Sequence, residues 1–199
     1  MEQKQARSPK ETQLMATAEE LFLRCGIRRV TVEEICRKAH VSKMTYYKYF
    51  SSKADIAVKV LEKICSEMSE IKWGILRADK PFTWKAEQLI ELEVDLAKRM
   101  SEDFLYDYFN YPELKPLVTK IMKQGYSDLE ELYREAQRKG EIRQDISLKL
   151  IMYMTRQLYV IMQDEAILSE YDNMRDFTRE LARFYFYGLL GHNDDEKDA

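Results

Sequence analysis

Residues 31–53 read TVEEICRKAHVSKMTYYKYFSSK, from Thr31 to Lys53, and the order of caps and apolar residues in this stretch decides the fold. Thr31 with Glu34 three residues on is the pattern of a capping box, and Val32, Ile35, Cys36 and Ala39 give the short helix behind it one apolar face, ending near His40. Ser42 is placed to cap the next helix, through Tyr49, and Ser51 or Ser52 to cap another that begins at Lys53. Caps this close together leave room only for helices of about two turns, joined by a turn of three or four residues. That is the size and spacing of a helix-turn-helix. The second helix can lie in a major groove only if its far face is anchored, here by Leu21, Phe22, Ile35, Val41, Tyr46 and Phe50. Lys43 and Tyr47 are four apart, as are Met44 and Lys48, so these four share the open face. Two ammonium groups, a phenol and an apolar side chain suit phosphates and thymine methyls.

Working outward, Leu14, Ala18, Leu21 and Phe22 put a helical stripe on residues 10–25, closed by Gly26. Beyond Lys53 the run Ile56, Val60, Ile64, Met68, Ile71 and Ile75 predicts one long helix to about Leu76. Asp79-Lys80-Pro81 breaks it. Further helices are expected over 82–100, from Ser101 through Tyr111, from Pro112 or Pro116 to Lys139 before Gly140, over 147–168, and over 173–190. The sum is an all-α chain of about nine helices without strands or internal repeats. Three divisions follow: a DNA-binding head at 1–52, a helical body at 53–191, and a polar tail at 192–199.

Composition agrees. Six glycines and four prolines in 199 residues are about half the usual share, too few for loop-rich β-sandwiches or Gly-rich nucleotide folds. The net charge of −3 conceals an asymmetry: residues 1–50 hold ten Lys/Arg against six Asp/Glu, while the rest of the chain is acidic. A basic head on an acidic body fits a small module that meets phosphates and a larger one with another task. Three cysteines without a C-x-x-C pair suggest reduced thiols, and the polar start with no long apolar run leads us to expect a cytoplasmic protein with no membrane partner. Neither G-x-S-x-G, H-E-x-x-H nor a P-loop occurs, and the two histidines do not make a metal site, so no enzyme, metal or cofactor is expected. Glu91-Leu92-Glu93-Val94-Asp95 lacks the Glu-x-x-His of a di-iron bundle and reads as a solvated face.

The segments AEELFLRCG and VTVEEICRKAHVSKMTYYKYFSSK carry, in order and at the right spacing, the pattern of the DNA-binding domain of the TetR family of bacterial transcriptional regulators, which residues 13–60 resemble. The resemblance implies that Thr31 caps the second helix and touches a phosphate. It implies that Lys43, Met44 and Thr45 face bases, that Tyr47 and Lys53 hold phosphates, and that Lys48 and Tyr49 stand where the family contacts DNA. Ser42, at the head of the recognition helix, is grouped with them. Two departures stand out: His40 replaces the usual turn glycine, a position histidine tolerates better than most residues, and Met44 replaces a small residue and alters which base step is read.

For the body, the methionines and aromatics from Trp84 to Met162 are material for an adaptable apolar cavity. The resemblance implies such a cavity for a small-molecule effector, and Trp84, Phe104, Tyr108, Met122, Tyr126 and Met154 are its candidate lining. The last two long helices present broad apolar faces, and in the family the matching pair forms a four-helix bundle with its symmetry mate. Leu158, Ile161, Phe177, Leu181, Phe184, Tyr185 and Gly188 are the candidate dimer contacts. The expectation is a homodimeric repressor on a pseudo-palindromic duplex operator, released by a small apolar or amphipathic ligand. The alternatives are a helical protein-interaction adaptor and a ligand-responsive activator.

Overall fold

The computed structural model describes residues 8–161 and 164–190, and within them the chain is helical with no strand. The elements are α1 (Pro9–Cys25), α2 (Val32–Lys38), α3 (Lys43–Tyr49), α4 (Lys53–Arg77), α5 (Phe82–Arg99), α6 (Glu102–Asn110), a 3₁₀ turn (Pro112–Leu114), α7 (Lys115–Lys139), α8 (Leu148–Ile161), the single turn α9 (Glu165–Leu168) and α10 (Met174–Leu189). The expected tail at 192–199 lies outside the described residues.

Caps set the boundaries. Ser8 accepts the Glu11 N–H at 3.2 Å with Pro9 at the first position of α1. Thr31 and Glu34 form the reciprocal capping box of α2, and Ser42 accepts the Thr45 N–H at 3.1 Å. Ser52, rather than Ser51, caps α4 by accepting the Asp55 N–H at 3.0 Å. Ser101 and Asn173 do the same for α6 and α10. His40 has φ +50°, so the turn between α2 and α3 does take the left-handed backbone that glycine would adopt most readily.

One helix is shorter than its pattern. Residues 147–168 read as continuous, but α8 ends at Ile161, and Asp164 Oδ1 accepts the Ala166 N–H at 3.0 Å to start α9 afresh. An aspartate offering a local cap competes with continuation of the helix.

By packing, the chain divides into two compact units: residues 1–69 with 99–121, and residues 70–98 with 122–199. The long helices α4 and α7 each contribute turns to both. In the first unit, Leu14, Ala18 and Phe22 of α1 and Ile35 of α2 are fully buried, with Tyr46 of α3, Ile56, Ala57, Val60, Leu61 and Ile64 of α4 and Phe104 of α6 also buried. Packing thus assigns the first turns of α4 and all of α6 to the unit that contains the head.

The second unit centres on Phe82, Ala86 and Leu89 of α5, Leu132, Tyr133 and Ala136 of α7, Ile151 and Met152 of α8, and Tyr185 and Leu189 of α10. Its helix ends are served from a distance. The Phe82 N–H at the start of α5 donates to Glu141 Oε2 at 2.9 Å, a carboxylate at a helix N-terminus, and the Leu189 carbonyl at the end of α10 accepts the Arg143 N–H at 3.0 Å. Among the described residues no helix is long and apolar enough to cross a membrane.

Candidate nucleic-acid interface

Of the seven residues of α3, Tyr46 is buried, Thr45 and Tyr49 are half-buried, and the other four are exposed. Tyr46 and the following Phe50 are buried, and the Tyr46 hydroxyl donates to the Ser52 carbonyl at 2.9 Å, which ties α3 to the head of α4. On the opposite face Met44 is 76% exposed and Tyr47 57%, with Lys43 and Lys48 also exposed. The Tyr47 ring meets that of Tyr46 edge-on, with centroids 5.3 Å apart, while Met44 stands in open water, an unusual place for a large apolar side chain.

The other residues expected to meet DNA are placed as follows. Thr31 is exposed at the tip of α2, but its hydroxyl serves the capping box: it accepts the Glu34 N–H and donates to Glu34 Oε2 at 3.1 Å. Ser42 is exposed and caps α3, its hydroxyl 2.9 Å from that of Thr45. Tyr49 is half-buried against Phe50, with ring centroids 6.5 Å apart. The Lys43 ammonium is not free: it forms an ion pair with Glu33 Oε1 of α2. That contact lowers the Glu33 carboxyl below its usual range and raises the lysine.

Lys53 departs from the expectation. Its Nζ donates to the carbonyls of Ile27 at 2.8 Å, Arg28 at 3.0 Å and Val30 at 2.9 Å, which occupies all three of its donors. Burial lowers its pKa. In this structure the lysine closes the loop between α1 and α2. The reason lies in the loop: once α1 ends, its carbonyls point inward without helical partners, and a cation at the first position of α4 is within reach.

The sequence reading missed the partners of that loop on α6. Asp107, only 3% exposed, accepts the Arg28 backbone N–H, and its carboxylate also meets the Arg28 guanidinium, while Asp103 pairs with Arg29 at 2.8 Å. The Ser101 N–H donates to the Leu23 carbonyl at 2.8 Å, satisfying a carbonyl that α1 leaves open at its end. The signal was legible: two aspartates four apart within the aromatic run EDFLYDYFN, and two arginines, Arg28 and Arg29, just past the helix-ending Gly26 and Ile27.

The candidate effector residues fall on both units. Phe104 is buried and Tyr108 half-buried in the first. In the second, Trp84 and Met122 are half-buried, and Tyr126 packs at the edge of the core under the Arg156 guanidinium, 5.7 Å from its ring centre. Met154 is exposed on α8, so it does not line an interior wall of its unit. Heptad-like spacing on an amphipathic helix cannot say which neighbour covers which face, and Met154 stands one position from the buried Thr155.

The candidate dimer residues separate in the same way. Phe177 and Tyr185 are buried within the second unit, where the Tyr185 hydroxyl donates to the Ile151 carbonyl at 2.9 Å, so neither stands on the outer face. Leu158, Ile161 and Leu181 are half-buried. Phe184 is 82% exposed, Gly188 is exposed, and with Tyr187 they line an open groove along α10 flanked by Glu180 and Arg183. Among the described residues no group of three or more His, Cys, Asp or Glu is placed to hold a metal ion.

Residues 14–60 match the family model described as bacterial regulatory proteins, tetR family. No curated protein matches the chain in sequence. Solved structures that resemble it include a putative transcriptional regulator from Saccharomonospora viridis in complex with choline, with a TM-score of 0.75 and 17% identity over 91% of this chain and 97% of that one. Regulatory protein TetR from Rhodobacter sphaeroides superposes with a TM-score of 0.73 at 18% identity, over 92% of this chain and 100% of that one. The regulator FadR from Bacillus subtilis in complex with stearoyl-CoA does so with a TM-score of 0.68 at 17% identity, over 89% and 98%.

Proposed function

We propose that this chain, whose residues 14–60 match the tetR family model, is a regulator of that kind and acts as a homodimeric repressor that leaves a pseudo-palindromic operator when a small apolar or amphipathic ligand binds. The observation that carries the DNA-binding part is the division of α3: Tyr46 is locked into the core while Met44, Tyr47 and Lys48 are exposed on the opposite side. A helix held from behind, with a polar and apolar mixture in front, is built to be pressed into a groove.

The dimer reading is supported by Phe184 and Tyr187, whose exposure on α10 is unexplained by packing within the chain. Two copies joined there would set two recognition helices about 34 to 36 Å apart, one turn of duplex. The ligand reading is supported by the half-buried aromatics and methionine of the second unit, Trp84, Met122 and Tyr126, and by the choline and stearoyl-CoA bound in two similar structures. In this scheme α4 is the coupling element, because of the two helices that contribute turns to both units, α4 and α7, it is the one that directly follows α3. Ligand would favour a conformer whose recognition helices no longer match two half-sites, and DNA affinity would fall by the ratio of its affinities for the two states.

The test is selection of bound sequences from random duplex DNA at two salt concentrations, with the mass of the bound species measured by sedimentation. A pseudo-palindrome bound by a dimer, more weakly as salt rises, is the expected result. No enrichment at either salt overturns the reading in favour of a protein-interaction adaptor. Binding strengthened by added acyl-CoA or choline would make the protein an activator of the ligand-bound type.

A further inference from the structure

We propose that Glu33 is a positioning residue for sequence recognition: its carboxylate holds the Lys43 ammonium against the α2 side of the first turn of α3, so that the lysine serves base edges rather than phosphates. The inference rests on the DNA-binding reading above. Lys43 is the first residue of α3, directly after the cap Ser42, and the first turn of a recognition helix is the part that reaches base edges. Lysine there suits the O6 and N7 acceptors of guanine. Left to itself, however, an ammonium on a flexible four-carbon stem settles on the nearest phosphate, which adds affinity for every sequence alike.

The structure removes that freedom. Lys43 Nζ lies on Glu33 Oε1, a bond that crosses from α2 to α3 over the His40 turn. The two acids of the first turn of α2 have separate tasks. The Glu34 carboxylate is taken by the Thr31 N–H and hydroxyl, whereas the Glu33 carboxylate goes to Lys43. The lysine of α2, Lys38, pairs back to Glu20 of α1. Stability does not account for the Glu33–Lys43 pair, since both side chains are more than half exposed and such pairs contribute about 0–1 kcal/mol. An acidic side chain beside the recognition helix disfavours every DNA complex in which Lys43 does not find a better acceptor, and that penalty falls hardest on the wrong sequences.

The experiment compares the full chain with E33Q, K43Q and the double variant, each in selection from a random duplex pool and in titrations of random-sequence duplex over a salt series. We expect E33Q to bind random duplex about 3- to 10-fold more tightly, with a log–log salt slope steeper by about one. It should also lose preference at the same base position that K43Q loses. In the K43Q background, E33Q should leave the sequence preference unchanged. An E33Q profile and salt slope indistinguishable from those of the unaltered chain overturns the proposal while leaving the DNA-binding reading intact. An unaltered chain that selects no duplex overturns both.

Discussion

Arg28 and Asp107 are joined at two points: Asp107 Oδ2 accepts the Arg28 backbone N–H at 2.8 Å, and Oδ1 meets the guanidinium Nε at 3.2 Å. The same guanidinium donates to the Asn110 carbonyl at 3.0 Å and lies over the Tyr106 ring, 5.2 Å from its centre. One arginine of the loop after α1 is therefore held by three residues of α6, through charge, carbonyl and ring. Because Asp107 is buried, its removal strands the Arg28 backbone donor, while the half-exposed guanidinium keeps the Asn110 carbonyl and the Tyr106 ring. Asp107→Ala should cost about 2 kcal/mol in denaturant unfolding, and Asp107→Asn, which keeps an acceptor for the N–H, about half of that. Equal loss in both variants would show that the charge carries the whole effect and the acceptor for the N–H adds nothing.

Gly26 and Gly140 both have positive φ, at +76° and +73°, yet they should respond differently to alanine. A Cβ at Gly26 would stand 2.9 Å from Asp103 Cβ, whereas at Gly140 the nearest atom is the flexible end of Gln144 at 3.9 Å. Gly140→Ala should cost only the left-handed backbone, about 1 kcal/mol, and Gly26→Ala clearly more because α6 must also move away. Thermal melts of the two variants check the order.

Tyr46 and Tyr47 are neighbours with opposite roles. Tyr46→Phe loses the bond to the Ser52 carbonyl and should lower stability by about 1 kcal/mol with DNA affinity unchanged. Tyr47→Ala, at an exposed site, should leave the melt within about 0.5 kcal/mol and weaken duplex binding roughly 10-fold across sequences, as a lost phosphate contact does. Reversed outcomes would exchange the faces of α3.

Acid should loosen the head partly through Glu34. The Thr31 backbone N–H and then its hydroxyl hold this carboxyl below its ordinary value of 4.5. A depressed folded-state pKa means stability that is present above the unfolded value and lost as pH falls through the folded one. The contribution is therefore complete at neutral pH and fades below about 4.5. Glu34→Gln should show a shallower fall in unfolding midpoint between neutral and acid pH than the unaltered chain.

On α10, Phe184 and Tyr185 stand side by side, one outward and one inward. Under the dimer reading, Phe184→Glu should yield a folded monomer by sedimentation with its melting behaviour otherwise retained. Tyr185→Phe should remain a dimer and melt earlier, having lost its donation to the Ile151 carbonyl. A dimeric Phe184→Glu protein would move the interface away from this groove.

The sequence by itself determined what is local. Caps such as Thr31–Glu34 and Ser42, the terminating glycines and the helical periods placed most helices to within a few residues, because each depends on atoms no more than a turn away; the break between α8 and α9 within 147–168 is the exception. The inward Tyr46 and outward Tyr47 were legible for the same reason, since α3 is short and its core side is fixed by the motif. Only the tertiary structure decided the rest. Lys53 matches the motif, yet it is drawn into the loop by carbonyls at residues 27, 28 and 30, a relation no spacing rule encodes. The link from Asp107 to Arg28 spans 79 positions, and the inward turn of Phe177 and Tyr185 depends on which helices lie against α10. An amphipathic pattern says that a face will be covered. What covers it is settled by packing among segments distant in the chain, where shape and unsatisfied polar groups choose the partner.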